Sequence, residues 1–448
     1  MASGAIAASS TAIDSATPGR PTTPVWGDLG PPGDPFATQS AFRGVGASTL
    51  QVMGPLRVAV VGCGTAGPVA AIMLARAGHA VTVLEAAADP GPVGAGIWLQ
   101  ELGQQVLDAV GLLEPLRAAS RPVARVDAVT VGGRQVMDFG YADVPGAVPA
   151  IGVHRGVLFT LLWEALARST ARIATGVDVA GVRPTPGGVT VETTSGAVGP
   201  FDLVIGADGS RSVVRESLRV AVRDHGYSYG ALWALVDDAE GLAADVLYQC
   251  LDGTSRYLGV LPTGEQQASI FWSVRGADMS AVRGRGVDAW RREAAPFVGE
   301  AYGPLLAEID QLLEAHYRDV VVRTPYRVRD GAGAVLIGDA AHAMSPQLGA
   351  GTSLALADAA SLCHFLASAP DLESALAQHT ASRRAHVRWY SWWTRLMMPV
   401  FQSDLHPIAL PRDLLAGPVG SHPWVRTQMV KQLGGAQVGL FRRWQLPG

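Results

Sequence analysis

Three short stretches place glycines and acids at spacings that suit an elongated, anionic ligand. The first is Gly62-Cys63-Gly64-Thr65-Ala66-Gly67, a GxGxxG run that follows the apolar residues Leu56–Val61 and precedes a helix-compatible segment. In that setting the first glycine makes a tight turn, the second lets backbone approach a pyrophosphate, and the third lets helix and strand pack closely. The pyrophosphate then meets unpaired N–H groups at the positive end of a helix dipole. Pro68 fits a first helical turn that has no use for its N–H. Glu85 stands 23 residues after Gly62, at the end of the next apolar run. A carboxylate there accepts both ribose hydroxyls and repels a 2′-phosphate, so the ligand expected is an adenine dinucleotide. The other two stretches are Gly206-Ala207-Asp208-Gly209 and Gly338-Asp339-Ala340-Ala341-His342, which follow the apolar runs Leu203–Ile205 and Val335–Ile337. Ligands of an open parallel sheet bind at the carboxyl ends of its strands. Two more acids at that edge exceed the needs of a short dehydrogenase and suit a cofactor laid across the whole domain.

The elements that must position these residues follow from the surrounding pattern. Leu56–Val61 reads as a strand buried on both faces, residues 67–77 as a helix, and His79–Leu84 as a second parallel strand. Residues 98–118 have helical period, Val126–Phe139 alternates like sheet, and Arg155 opens a helical stretch to Arg168. Short strands with turns such as Pro186-Gly187 occupy 172–206. Residues 227–274 are strand-rich and aromatic, and after Val335–Ile337 the chain is largely helical to about Leu396. Residues 1–52 are rich in Ala, Ser, Thr, Pro and Gly without period and are expected to be disordered, with Met53 an alternative translation start.

Composition narrows the function classes. Of 448 residues, 48% are hydrophobic and 17% charged, which supplies a large core. Thirty-five basic against 39 acidic residues leave no basic excess for nucleic acid. Cys63, Cys250 and Cys363 lie too far apart for zinc and are too few for a disulfide framework, so a reducing cytoplasm is the simplest home. No charge-free apolar run of about 18 residues suggests a membrane span. Lys431 is the only lysine, which eliminates chemistry that needs one in the body of the chain.

The three motifs, in this order, resemble those of the class A flavin-dependent monooxygenases of the para-hydroxybenzoate hydroxylase fold, over roughly residues 55–400. The second motif extends through Asp208-Gly209-Ser210-Arg211 to Arg215, and the third through Pro346-Gln347-Leu348-Gly349-Ala350-Gly351-Thr352. The resemblance implies an α/β protein: a Rossmann-like FAD-binding domain with an inserted β-sheet substrate domain and a C-terminal helical segment. The boundaries expected are 53–224 and 326–375 for the two parts of the FAD-binding domain, 225–325 for the substrate domain and 376–448 for the helical region. FAD is the implied cofactor, with NADH or NADPH as transient reductant and O2 and a small, aromatic-type molecule as partners, in a monomer or homodimer. Asp339 is implied to bind a ribityl hydroxyl, and Asp208 to lie near the pyrophosphate and to bear on NAD(P)H use. Gly94-Ala95-Gly96 resembles the glycine loop near the flavin, Arg155 the arginine aimed at the cofactor, and Pro346 the proline whose carbonyl faces the reacting centre. Reduced flavin would react with O2 to a C4a-hydroperoxide that transfers an electrophilic oxygen atom.

Chemistry supports several of these roles. Gly351-Thr352-Ser353 begins a helical stretch whose free N–H groups, together with the Gly349 turn, would stabilise the negative charge of reduced flavin. Ser353 stands where many relatives carry Asn, and Glu101 where they often carry Pro. Asp358 reads as an N-cap or a solvated helical acid. His342 is either a catalytic group or a packed, hydrogen-bonded one. Trp233, Tyr248, Tyr257 and Trp272, with Tyr227 nearby, line the substrate or pack the core, and Gln249 and Arg256 could orient a polar substituent. The aromatic run Trp389–Trp393 either docks on the domain or forms a lid. A flavin reductase of the same fold, without oxygen insertion, is the rival reading. A halogenase would need a lysine and a Trp-x-Trp-x-Ile-Pro stretch, both missing here. A cofactor-free binding protein would not need Asp208 and Asp339.

Overall fold

The computed structural model describes residues 53–92 and 94–447; the expectations for residues 1–52 lie outside the described residues. A six-stranded sheet runs in the order Tyr326–Arg329, Ala332–Leu336, Leu203–Gly206, Arg57–Val61, Ala80–Leu84, Arg172–Ala174. All neighbours are parallel except the first pair. Val58 and Val60 bury into one apolar cluster and Ala59 and Val61 into another, on the opposite face. Covering both faces is what turns the strand's sequence into a continuous apolar run. The register sets Val61 opposite both Gly206 and Leu84, and Gly206 opposite Leu336. All three glycine–acid turns therefore leave the same carboxyl edge.

The second sheet has seven strands in the order Leu313–Val322, Val222–Asp237, Gln267–Arg275, Arg256–Gly264, Val246–Asp252, Arg125–Thr130, Gln135–Gly140. Its last two strands come from within residues 53–224, so this sheet draws on more of the chain than residues 225–325. The reason is a parallel pairing of Arg125–Thr130 with Val246–Asp252, across more than a hundred residues of chain. One face of this sheet is covered by the helix Val287–Ala307, which packs Trp290, Phe297 and Leu306 onto it. The other face looks towards the glycine loop: a Cβ placed on Gly96 would meet Thr263, Ser269 and Leu261 at 2.5–3.1 Å.

Two long helices, Gly351–Ser368 and Leu372–Phe401, lead to the C-terminal helices Ala409–Ser421 and Pro423–Leu433. No helix among the described residues is long and apolar enough to cross a membrane.

Candidate active site

The first turn has the geometry of a pyrophosphate cradle. Gly62 has φ +98°, and a Cβ there would lie 2.6 Å from the Ala207 carbonyl oxygen. A Cβ on Gly67 would lie 2.1 Å from the Gly62 carbonyl oxygen, closer than atoms can approach. The helix Ala66–Arg76 begins at Thr65 with no side chain capping its first N–H groups, while Gly64 is exposed. Uncapped donors of this kind need an external acceptor. Glu85 turns its carboxylate towards this loop, accepting Cys63 N–H at 2.7 Å and Ala87 N–H at 2.9 Å.

The second and third turns converge on the first. Asp208 lies beside Gly62, but both of its oxygens are engaged, with Ser212 Oγ at 2.6 Å and Val214 N–H at 3.1 Å. Its side chain accepts a free N–H at the start of the helix Val213–Leu218. Arg215 then ties the second turn to the third, donating to the carbonyls of Ser210 and Ala340 and pairing with Asp224 at 2.6 Å. Gly338, at φ +60°, approaches Ala66 so closely that its Cβ would lie 3.4 Å from that methyl. Asp339 is exposed between the buried Gly338 and Ala340. A lone solvated acid at the sheet edge has the chemistry of a hydroxyl acceptor.

Beneath the third turn lies a buried ionic network that sequence reasoning missed. Asp358 is neither an N-cap nor solvated: it is 2% exposed and accepts Gly338 N–H at 2.9 Å. It also meets His342 Nε2 at 2.5 Å and Arg383 Nε at 2.7 Å. Burial alone would raise the carboxyl pKa, but His342 and Arg383 overcome it and hold the group well below its ordinary range. Arg383 donates to the Leu354 carbonyl, contacts His386 and stacks 4.5 Å from the Trp444 ring. His342 is thus a packed, hydrogen-bonded residue on its Nε2 side; its buried Nδ1 has no partner among the described residues.

The flavin end is prepared in the same way. The helix Gly351–Ser368 starts at Ala350 without a side-chain cap, leaving the N–H groups of Gly351 and Thr352 available. Ser353 is fully buried and turns its hydroxyl to Gln100 N–H, 3.2 Å away, so only its backbone is left for a ligand. Gly349, at φ +59°, carries Trp98 so closely that a Cβ would meet the indole at 3.0 Å. The Pro346 carbonyl accepts Gly349 N–H at 2.8 Å, closing a 3₁₀ turn and leaving one lone pair free. Arg155 lies across Gly94, within 2.6 Å of a Cβ there, and its N–H donates to the Ala95 carbonyl. Glycines at 62, 67, 94, 338 and 349, two uncapped helix starts and the exposed Asp339 fit an extended dinucleotide.

The family model described as an FAD binding domain matches residues 55–390. The chain belongs to the class A FAD-dependent monooxygenases. The monooxygenase is 30% identical to the aurachin C monooxygenase/isomerase of Stigmatella aurantiaca, over 73% of its own length and 85% of that protein. It is 32% identical to the kynurenine 3-monooxygenase of Salinispora arenicola, over 74% and 76%. Its fold matches that of Klebsiella pneumoniae HpxO complexed with FAD and uric acid at a TM-score of 0.73, with 21% identity over 88% and 100% of the two chains.

The seven-stranded sheet of the monooxygenase divides the aromatic set between its two faces. Strand alternation puts Tyr248 and Trp272 on the face covered by Val287–Ala307. Trp272 packs edge-on against Phe297 at 4.8 Å, and the Tyr248 hydroxyl donates to the Phe297 carbonyl at 3.0 Å. Trp233 and Tyr257 lie on the opposite face, both against Phe271, whose ring fills the space over Gly259. Gln249 faces Gly259 across the strands, while Arg256 pairs with Asp252 at the exposed hairpin. An apolar cluster adjoins them: Val126, Phe139, Tyr141, Leu247 and Leu261, with Trp98 and Phe271 at its border. Among the described residues the indole Nε1 of Trp98 and the hydroxyl of Tyr141 are buried without a well-formed hydrogen bond, within reach of each other and, for Tyr141, of the Ala150 backbone. Burial pushes the Tyr141 pKa well above its ordinary value, so it remains a donor at working pH. The tail seals this region: Trp389 donates to Gln432 at 2.7 Å, Trp393 packs on the Leu348–Tyr390 cluster, and Glu101 pairs with Arg443 at 3.1 Å. The acid at position 101 thus anchors the chain end.

Burial also predicts acid sensitivity. His379, 2% exposed with Nδ1 3.1 Å from Ser361 Oγ, is held down to about 4 by desolvation. An unfolded histidine takes up a proton near 6.5 while the folded one does not, so stability is complete above about 6.5 and declines as pH falls towards 4. The decline from this residue is on the order of 3 kcal/mol. Thermal melts across that window should show it, and His379→Gln should flatten the slope.

Proposed function

We propose that the chain uses NADH or NADPH and O2 to insert one oxygen atom into an electron-rich, apolar aromatic molecule. When bound, FAD accepts a hydride from the nicotinamide and activates O2. The protein's share is placement and exclusion of water. Gly62, Gly64, Thr65, Ala66 and Gly67 would receive the pyrophosphate, Glu85 the adenosine ribose and Asp339 a ribityl hydroxyl. Gly349, Gly351 and Thr352 would face the flavin ring from one side, and the loop at Ala95 and Gly96, with Arg155, from the other.

The observation that carries the substrate class is the buried pair Trp98 Nε1 and Tyr141 Oη, within reach of each other but neither in a well-formed hydrogen bond among the described residues, beside an apolar cluster next to Gly349. An aromatic ring bearing one carbonyl or phenolate oxygen would satisfy both and leave its carbon face to Leu261, Phe271 and Trp233. The free lone pair of the Pro346 carbonyl would accept a substrate O–H or N–H. Tyr141→Phe removes one donor without changing ring volume. It should raise KM about tenfold, the worth of one hydrogen bond to a charged or buried acceptor, with a smaller change in kcat.

The reading is tested by screening phenols, hydroxyquinolines and anthranilate-type ketones for stimulated NAD(P)H oxidation, with products weighed for one added oxygen atom. Stimulated O2 uptake with an oxygenated product supports it. Flavin reduction and substrate saturation without an oxygenated product would instead establish the reductase reading.

A further inference from the structure

Apolar exposure among the described residues is concentrated in one stretch of the chain. Ten of the twelve large hydrophobic side chains exposed among the described residues lie between Trp392 and Phe441. The helix Ala409–Ser421 is inverted with respect to a helix packed on a sheet. Its arginine, Arg412, is 8% exposed and donates inwards to the carbonyls of Val400 and Gly253, both at 2.9 Å. Leu410, Leu414, Leu415 and Val419 face outwards at 47–66% exposure. On the long helix Leu372–Phe401, Arg384, Arg388, Trp392 and Leu396 recur every fourth residue and are all exposed, forming one stripe. Exposed apolar surface gathered in this way marks an interaction site.

Charge decides which partner fits. From Arg383 to the C-terminus the chain carries nine Arg and Lys against two Asp, although its overall formal charge is −4. Both aspartates are occupied: Asp404 by Arg275 and the Tyr229 hydroxyl, Asp413 by Arg412. Arg384, Arg388, Lys431 and Arg442 are exposed, with no acidic partner among the described residues. A second copy docking through this face in a two-fold dimer would set the cationic region against itself. Anionic headgroups would complement it, and leucines with tryptophan beside arginine and lysine are the composition of helices that lie in a membrane interface.

We propose that the C-terminal helices bind the surface of an anionic lipid bilayer, seating Leu410, Leu414, Leu415 and Val419 at the headgroup boundary with Arg384 and Arg388 on phosphates. The binding is peripheral, as suits a chain with no spanning helix among its described residues. It is independent of the proposed reaction, because its readout is co-flotation with vesicles rather than turnover.

The test is flotation of the full-length FAD-bound protein with vesicles of phosphatidylcholine containing phosphatidylglycerol, and with phosphatidylcholine alone. Binding should favour the anionic vesicles by about tenfold or more and weaken with salt. Arg384→Glu with Arg388→Glu, and separately Leu414→Glu with Leu415→Glu, should each reduce it by about tenfold or more. These positions are exposed, so flavin content and NAD(P)H oxidation should stay unchanged. Failure to bind vesicles, or binding indifferent to both double variants, overturns the proposal. A dimer in solution that Leu414→Glu with Leu415→Glu dissolves, in protein that ignores vesicles, would assign the face to a second copy instead.

Discussion

Replacing Gly67 by valine is expected to yield a protein that purifies without the yellow colour of flavin. The third glycine of the first turn sits where a Cβ would fall 2.1 Å from the Gly62 carbonyl oxygen. That oxygen belongs to backbone held by Gly62 N–H bonding to Leu84 O at 2.9 Å, so it cannot retreat without shifting the strand end. The helix Ala66–Arg76 must move away instead, taking its uncapped N–H groups with it. Donors displaced by about an ångström lose most of a charge-assisted hydrogen bond. Visible absorbance measures the loss of FAD, and circular dichroism separates it from unfolding. A yellow Gly67→Val protein with normal flavin occupancy would contradict this account of the cradle.

Arg383→Ala is expected to cost about 3–5 kcal/mol, because it leaves the buried Asp358 carboxylate without its guanidinium partner. The same change removes the donor to Leu354 O and the stack beneath Trp444. A melting temperature lower by on the order of 5 °C or more should follow, with weaker flavin retention because Asp358 also holds Gly338 N–H. The combination Asp358→Asn with Arg383→Met should cost less than Arg383→Ala alone, since it removes both charges and keeps volume. If the double variant proves the worse of the two, the network stabilises by attraction rather than by relieving a buried charge.

Much of the cofactor edge was legible in the sequence, because each turn demands particular residue types. A glycine whose Cβ would strike a carbonyl tolerates no substitute and one with positive φ is strained by most, so the runs at 62–67, 206–209 and 338–342 carry their own signature. Asp358 lacked one. Its partners lie 16 residues before and 25 residues after it, spacings that no local period relates. One clue was present: residues 353–363 are all small or apolar apart from Asp358, and a helix with no polar face leaves no solvated side for an acid. The aromatic set was legible only in part. Alternation showed that Tyr248 and Tyr257 occupy strands, but both faces of that sheet are covered, and which cover is helix and which is cofactor edge depends on the chain's path. The parallel pairing of Arg125–Thr130 with Val246–Asp252 is equally non-local and left no trace in composition.

The support beneath Gly338 has an order of assembly written into it. Gly338 is held by Asp358, Asp358 by Arg383, and Arg383 and His386 by Trp444 and the Gly435 carbonyl, so the last links come from residues 435–444. During translation those residues emerge long after the first glycine turn. Tight capture of the prosthetic group therefore waits on a late-made stretch of chain. Weakening its hold on Arg383 is a means of controlling whether the apoprotein becomes competent.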